Sequence, residues 1–386
     1  MNLPFNLQYI SGLEETYLKE CIHNGLFSGN GPFTVKCQSW LENRYPFHKA
    51  MLTSSCTDAL EMAALLLDVR SGDEIIMPSY TFVSTANAFV LRGATVVFAD
   101  SRTDHPGIDE TRIEALISSR TKAIVVVHYA GVACDMDVIM DIAARYGLKV
   151  VEDAAQAIDC FYKGRPLGGI GHLGAFSFHA TKNIHCGEGG ALIINDISLV
   201  NRAEILWEHG TDKAAFVRGE IEHYQWREVG SSFLPSELNA AFLWGQFQSL
   251  DEVTKERCRL SELYISKLSA FFERSLLYKP SIPDYSKHNG HISYIVCQSM
   301  EQRDALTKHL KQASIQACSH YQPLHSSHYY QASQKNQHLG NCERYGSCLL
   351  RLPMYVGLKD EDIIKICEEI GSFLLNTKKD NSNNSY

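Results

Sequence analysis

The chain has no run of about 18 apolar residues, so no membrane-spanning helix is expected. It has no excess of positive charge. Its 44 acidic against 36 basic residues leave a net charge of −8, which argues against nucleic acid or an anionic membrane as the main partner. The opening residues Met1-Asn2-Leu3-Pro4-Phe5 lack the charged and apolar regions of a signal peptide. No Cys-x-x-Cys pair occurs among the 12 cysteines, and Cys342 and Cys348 are too loosely spaced for a zinc knuckle. Reduced thiols, a cytoplasmic location and no metal are therefore expected. No internal repeat is present.

The sequence has 386 residues, 45% hydrophobic and 21% charged. That composition is ordinary for a globular protein, and the length exceeds one typical core, so two domains are expected. From Ser54 to Asn195 helix-like and strand-like segments alternate. Helices are predicted over Thr57 to Leu67, Thr85 to Leu91, Asp109 to Ile117 and Val138 to Tyr146. Strands are predicted over Glu74 to Met77, Ala94 to Ala99, Ala123 to Val127 and Leu148 to Val151. The strands read as continuous apolar runs, as in a mostly parallel sheet covered on both faces. Ligands of such sheets bind beyond the carboxyl ends of the strands, where Pro78, Asp100, His128 and Asp153 fall. After Pro235 a helical stretch in two pieces runs toward Phe272. A smaller α+β region follows, with a strand at Ile292 to Cys297 and helices near Arg303 to Lys311 and Asp360 to Leu374. The expected division is a large domain over 1–250, a small one over 251–377 and a disordered polar tail over 378–386.

Lys182 sits between the apolar run Phe176-Ser177-Phe178 and the turn Gly187-Glu188-Gly189-Gly190. About 30 residues earlier, Val150-Val151-Glu152-Asp153 is a strand with an acid at its C-terminal end. A lysine amine to hold an aldehyde and a carboxylate to hold a ring nitrogen protonated are what pyridoxal phosphate needs. Upstream, Ser54-Ser55-Cys56-Thr57 opens a helix whose first-turn N–H groups suit a phosphate. Taken alone these residues read as an ordinary N-cap, and the lysine and carboxylate downstream favour phosphate.

Three other signals compete. Gly169-Ile170-Gly171-His172-Leu173-Gly174 matches the dinucleotide fingerprint, but a strand follows it where a helix should, so the match is read as chance. His128, with Asp135 and Asp137 nearby, could suggest a metal or a base; a strand-end loop with Asp capping the next helix is the preferred reading. His320, Tyr321 and His325 either touch substrate or pack at a domain junction.

Together these runs resemble the sugar aminotransferases of the DegT/DnrJ/EryC1/StrS family over nearly all of the chain, from Ser28-Gly29-Asn30-Gly31 to Leu352-Pro353-Met354. The resemblance implies an α/β fold, the pyridoxal-phosphate-dependent transferase fold type I of the aspartate aminotransferase superfamily. That fold has a mostly parallel large-domain sheet and a smaller α+β C-terminal domain. The runs Ile76 to Asn87, Val127 to Asp137 and Gly230 to Leu234 are similar to those of the TDP-4-amino-4,6-dideoxy-D-galactose transaminases. By position, the resemblance makes Lys182 the Schiff-base lysine and Asp153 the partner of the pyridine nitrogen. It sets Gln156 near the phenolic oxygen and Phe82 on the ring. Ser55, Cys56 through its backbone, Thr57 and Ser177 then belong to the phosphate site.

The implied reaction moves an amino group from L-glutamate to C4 of a TDP-linked keto-deoxysugar for surface polysaccharide synthesis. His179, His320, Tyr321 and His325 become candidate substrate contacts. The resemblance also implies a homodimer in which the 230–234 loop reaches the neighbour's site. Leu234 stands where many relatives have Asn or Arg, so Ser232 is the candidate there. The stretch from Lys182 to Gly187 is one residue shorter than in the most similar group, which bears on the sugar and not on the reaction class. Amination with gluco stereochemistry or at C3, a regulatory protein that binds the cofactor without turnover, and an NAD oxidoreductase are the alternatives.

Overall fold

The computed structural model describes residues 2–333 and 337–383. Two helices, α1 (Leu13–Asn24) and α2 (Pro32–Arg44), precede the alternating region. There follow β1 (Lys49–Thr53), α3 (Cys56–Leu66), β2 (Glu74–Pro78), α4 (Val83–Val90), β3 (Thr95–Ala99), β4 (Thr121–Val127), α5 (Met136–Tyr146) and β5 (Lys149–Asp153). The short pair β6 (Phe161–Tyr162) and β7 (Arg165–Pro166) leads to β8 (Leu173–Ser177) and β9 (Gly190–Ile194). Next come α6 (Val200–Trp207), α7 (Lys213–Val217), α8 (Glu237–Phe247) and α9 (Leu250–Glu273). The chain ends with β10 (Ser286–Lys287), β11 (Tyr294–Val296), α10 (Met300–Gln312), α11 (His328–Ser333), α12 (Gly340–Cys348), β12 (Leu349–Arg351) and α13 (Asp360–Asn383).

Seven strands form the main sheet in the order β1-β9-β8-β5-β4-β2-β3. All are parallel except β9, which runs against both β8 and β1. Successive side chains of a strand point to opposite faces. Here both faces are apolar: Ile124 and Val126 join one buried cluster with α2, α5 and α8, while Ala123 and Val125 join another with α3, α4 and α6. That is why the sequence shows continuous apolar runs instead of alternation. A third cluster joins Leu3, Leu260 and Tyr264 of α9, Leu306 of α10 and Ile366 of α13 behind the two-stranded β11–β12 sheet. The buried Glu237 at the start of α8 ties α8 to α2. Its carboxylate accepts hydrogen bonds from the amides of Gly31 (3.1 Å), Phe33 (2.7 Å) and Thr34 (2.9 Å).

Two expectations need correction. The helix expected over Asp109 to Ile117 is a pair of 3-10 turns, Glu110–Arg112 and Glu114–Leu116. Asp109 bonds the amide of Thr111, two residues on, and Ser118 bonds Glu74 and Thr121, so side chains draw the backbone out of a helical path at both ends. The tail expected to be disordered continues α13 through Asn383, because neither Pro nor Gly follows Gly371 to stop it. Residues 384–386 lie outside the described residues. All 12 cysteines are free thiols. Among the described residues no helix is long and apolar enough to cross a membrane, and no cluster of His, Cys, Asp or Glu could hold a metal ion.

Candidate active site

A cavity of about 560 Å³ opens at the carboxyl ends of β4, β5 and β8, against the N-terminus of α3. Of the residues singled out from sequence, Ser55, Cys56, Thr57, Phe82, Asp153, Gln156, Ser177, His179, Lys182, His320 and Tyr321 line it.

Asp153 is the last residue of β5, so a strand buried on both faces delivers its carboxylate to the cavity floor. It accepts hydrogen bonds from Thr85 Oγ1 at 2.6 Å and from the Ala155 amide at 3.1 Å. Thr85 in turn lies 2.8 Å from Thr81 Oγ1. The carboxylate is thereby fixed in orientation.

Lys182 lies in the connection between the antiparallel strands β8 and β9. Backbone bonds pin that connection: Phe178 to Gly189 (2.8 Å), Ala180 to Gly187 (2.7 Å) and Cys186 to Phe178 (2.9 Å). Among the described residues the Lys182 amine has no hydrogen bond or ion pair. Burial lowers its pKa below that of an ordinary lysine, with the Asp153 carboxylate acting in the opposite direction. A lysine so placed holds a larger neutral fraction, which is the nucleophilic form.

At the other side, Ser55 caps α3 by accepting from the Asp58 amide at 3.1 Å. Cys56 and Thr57 open the helix, and their amides are the unpaired donors that every helix N-terminus carries. Thr57 Oγ1 donates to Ser84 Oγ at 2.9 Å. The two readings of this segment are therefore compatible: the serine side chain caps while the following amides remain free for an anion. Gly190 pairs with both Thr53 of β1 and Ser177 of β8. A Cβ on it would stand 2.5 Å from the Cys56 nitrogen, so only glycine lets β9 approach the helix start this closely.

Gln156 is held by the Ala130 amide on its Oε1 (2.6 Å) and donates from Nε2 to the Tyr321 hydroxyl (3.1 Å). Phe82 is 55% exposed at the cavity edge, an uncovered ring available to stack on a planar ligand. His179 lies on the rim beside Thr181 and Glu188.

The structure does not bring two candidates into the cavity. His325 is buried between Ser79 Oγ (2.7 Å) and Glu343 (3.2 Å), where it fastens the segment after Tyr321 to the end of β2. Ser232 is exposed, bridges Glu208 and lies outside the cavity of its own chain.

His128 lines the cavity, but its ring is committed. The Cys134 amide donates to Nδ1 at 3.3 Å, so the proton sits on Nε2, 2.9 Å from Glu152. Asp135 caps α5. Glu152 also accepts from the amides of Gly168 (2.8 Å), Ile170 (2.7 Å) and Gly171 (2.5 Å). The glycine turn thus wraps a carboxylate of its own chain, and Gly174 continues into β8 instead of a helix. The sequence reading missed Thr85 and Ser84, whose partners are remote in the chain.

This set fits pyridoxal phosphate: a half-buried amine with no hydrogen bond among the described residues, an oriented carboxylate across from it, free amides at a helix N-terminus and an exposed ring. The DegT/DnrJ/EryC1/StrS aminotransferase family model matches residues 8–371. The spore coat polysaccharide biosynthesis protein SpsC of Bacillus subtilis is 34% identical over 379 residues, covering 95% of this chain and 96% of that protein. The aminotransferase TlmJ of Streptoalloteichus hindustanus superposes with a TM-score of 0.90 at 26% identity, over 98% of this chain and 100% of that one. The protein NtdA of Bacillus subtilis, solved with its cofactor PMP bound, superposes with a TM-score of 0.85 at 27% identity, over 94% and 81%. The chain belongs to the DegT/DnrJ/EryC1/StrS aminotransferase family and is an aminotransferase that uses pyridoxal phosphate.

Proposed function

We propose that the chain transfers the amino group of L-glutamate to C4 of TDP-4-keto-6-deoxy-D-glucose, giving TDP-4-amino-4,6-dideoxy-D-galactose for a surface polysaccharide. The observation that carries the amino-transfer reading is Lys182 facing the oriented Asp153 in one cavity, with the helix N-terminus of α3 beside them. The likeness of residues 76–87 and 127–137 to TDP-sugar transaminases, and that of the whole chain to a polysaccharide biosynthesis protein, supports the sugar assignment.

In the first half the Lys182 amine takes the proton from the donor's α-carbon, and in the second half it delivers a proton to C4 of the sugar. Pyridoxal phosphate, when bound, supplies the electron sink. Asp153, oriented by Thr85 and Ala155, holds a positive charge on the ring nitrogen. The α3 amides, Thr57 and Ser177 bind the phosphate, while Phe82 and Gln156 orient the ring. The donor leaves as 2-oxoglutarate and the sugar ketone becomes an amine, so the electron count balances over the two halves.

The family resemblance of the 230–234 loop, together with an exposed Ser232 that lies outside its own chain's cavity, supports a homodimer, acting in the cytoplasm, in which Ser232 serves the neighbour's cavity. Sedimentation showing a fully active monomer rejects that part. Proton NMR of the sugar product tests the rest. Small H4 couplings to H3 and H5 mark the galacto amine, large ones mark the gluco isomer, and an amine at C3 moves the enzyme to another sugar.

A further inference from the structure

Backbone bonds pin the two stems of the Lys182 connection, but side chains hold its tip, residues 183–186. Asn183 Nδ2 donates to the Asn289 carbonyl at 3.0 Å, and Asn239 Nδ2 donates to the Cys186 carbonyl at 3.1 Å. Between them stands His185, 4% exposed, with its ring 5.4 Å from that of Phe242. Its Nε2 lies 3.0 Å from the Tyr9 carbonyl oxygen. A carbonyl only accepts, so Nε2 carries the proton and Nδ1 is a bare acceptor. That Nδ1 is buried and has no partner among the described residues. A second proton would create a buried N–H in the same unpartnered place, so the ring stays neutral and the bond to Tyr9 persists. Burial lowers the His185 pKa in the same sense, with the Tyr9 carbonyl acting in the opposite direction.

Tyr9 is a firm point of attachment. Its carbonyl accepts a second bond, from Gln246 Nε2 of α8 at 2.9 Å, and Gln246 Oε1 accepts from the His185 amide at 3.4 Å. The buried Glu14 holds the turn that follows, taking the amides of Ser11 (3.0 Å) and Gly12 (2.8 Å). On the other side of Tyr9, Leu3 pairs with Ile315, and the Phe5 carbonyl accepts from the Met354 amide at 3.2 Å. The N-terminal segment is thus fastened on both sides of Tyr9. We propose that His185 is a positioning residue for Lys182: it moors the tip of the lysine connection to this segment and so fixes where the amine stands. The inference rests on Lys182 being the base of the amino-transfer reading above. The Lys182 amine has no bond of its own among the described residues, so the backbone that carries it sets its place. A displacement of about 1 Å in a reacting group can cost about 10²-fold in rate.

The test compares three variants of the full chain with wild type. Glutamine places an amide nitrogen where histidine has Nε2, asparagine places it at Nδ1, and phenylalanine keeps a ring without a donor. His185→Gln should therefore behave as wild type, while His185→Asn and His185→Phe should not. The first readout is hydrogen exchange of the 182–187 amides by mass spectrometry, with and without the cofactor. It should speed up roughly 2- to 10-fold in the two loss variants, the effect of one neutral hydrogen bond. The second readout uses the holoenzyme with glutamate in heavy water and no sugar. Lys182 takes the α-hydrogen from carbon and returns a deuteron drawn from solvent, which proton NMR follows. That rate should fall about tenfold, with the yellow absorbance unchanged. Its half-maximal pH should rise, because a loosened amine gains water and its pKa climbs back toward that of an ordinary lysine. Unmoved amides and an unmoved pH profile, even with a lower urea midpoint, make His185 merely structural; that result overturns the inference and leaves the amino-transfer reading intact. Wild-type holoenzyme that exchanges no α-hydrogen rejects glutamate as the donor, and the amide exchange then decides the mooring alone.

Discussion

Thr85 Oγ1 donates to Asp153 Oδ2 at 2.6 Å, joining the first turn of α4 to the end of β5 across 68 residues of sequence. The bond keeps a carboxylate aimed, although nothing near Asp153 in the chain announces it. Thr85→Val is nearly isosteric and removes only the hydroxyl. Turnover should drop about tenfold, since a charge-assisted hydrogen bond contributes about 1.5–3 kcal/mol, with cofactor content unchanged by absorbance. An unaltered rate would show that Asp153 needs no such support.

Lys182→Ala should still take up pyridoxamine phosphate, because the α3 amides and Thr57 bind phosphate independently of the lysine. Turnover should vanish, as no other amine lines the main cavity. Single-turnover measurements without added amines check this, and a substantial residual rate would reassign the base. Asp153→Asn should keep the yellow colour and lose most of its rate.

The pH dependence has a sign. His320, with its pKa near 4, stays neutral from about pH 5 to 8 in the wild-type protein. Besides burial, two positive neighbours depress it, Arg351 and Lys182. Removing one of them in Arg351→Gln lets the pKa rise toward the ordinary 6.5. The ring then gains a proton at higher pH than in the wild type, so the His320 titration followed by proton NMR should move upward in the variant. An unshifted titration would show that Arg351 does not hold the ring neutral.

Stability offers a separate check. Glu237→Ala strips three amides at the start of α2 of their acceptor. Urea denaturation should report a loss of roughly 2–4 kcal/mol, the cost of unsatisfied buried donors plus a lost helix cap. Glu237→Gln, which retains one acceptor oxygen, should lose less.

Much of this was legible in the chain because the sheet is covered on both sides. Runs such as Ile124 to Val127 could only be buried strands, and their C-terminal ends then located Asp153 and the cavity. Lys182 was legible through local context, between an apolar run and a glycine turn. Arg351 was not. Its partner His320 lies 31 residues away in the chain, and only the fold brings the two together. The region from Asp109 to Ile117 misled for a local reason: its apolar spacing is helical, but side-chain bonds at Asp109 and Ser118 compete with the backbone ladder.

Gly190 faces Thr53 on one side and Ser177 on the other. The reversed strand β9 therefore acts as a spacer bar between the two arms of the phosphate cradle, and one hydrogen atom in place of a side chain sets its width. A methyl group there cannot be absorbed by a flexible neighbour, since the atoms it meets are backbone of Ser55 and Cys56. Gly190→Ala would spread the cradle and displace the lysine hairpin in the same movement. The protein would then lose its hold on the phosphate while every group that touches the ligand kept its identity.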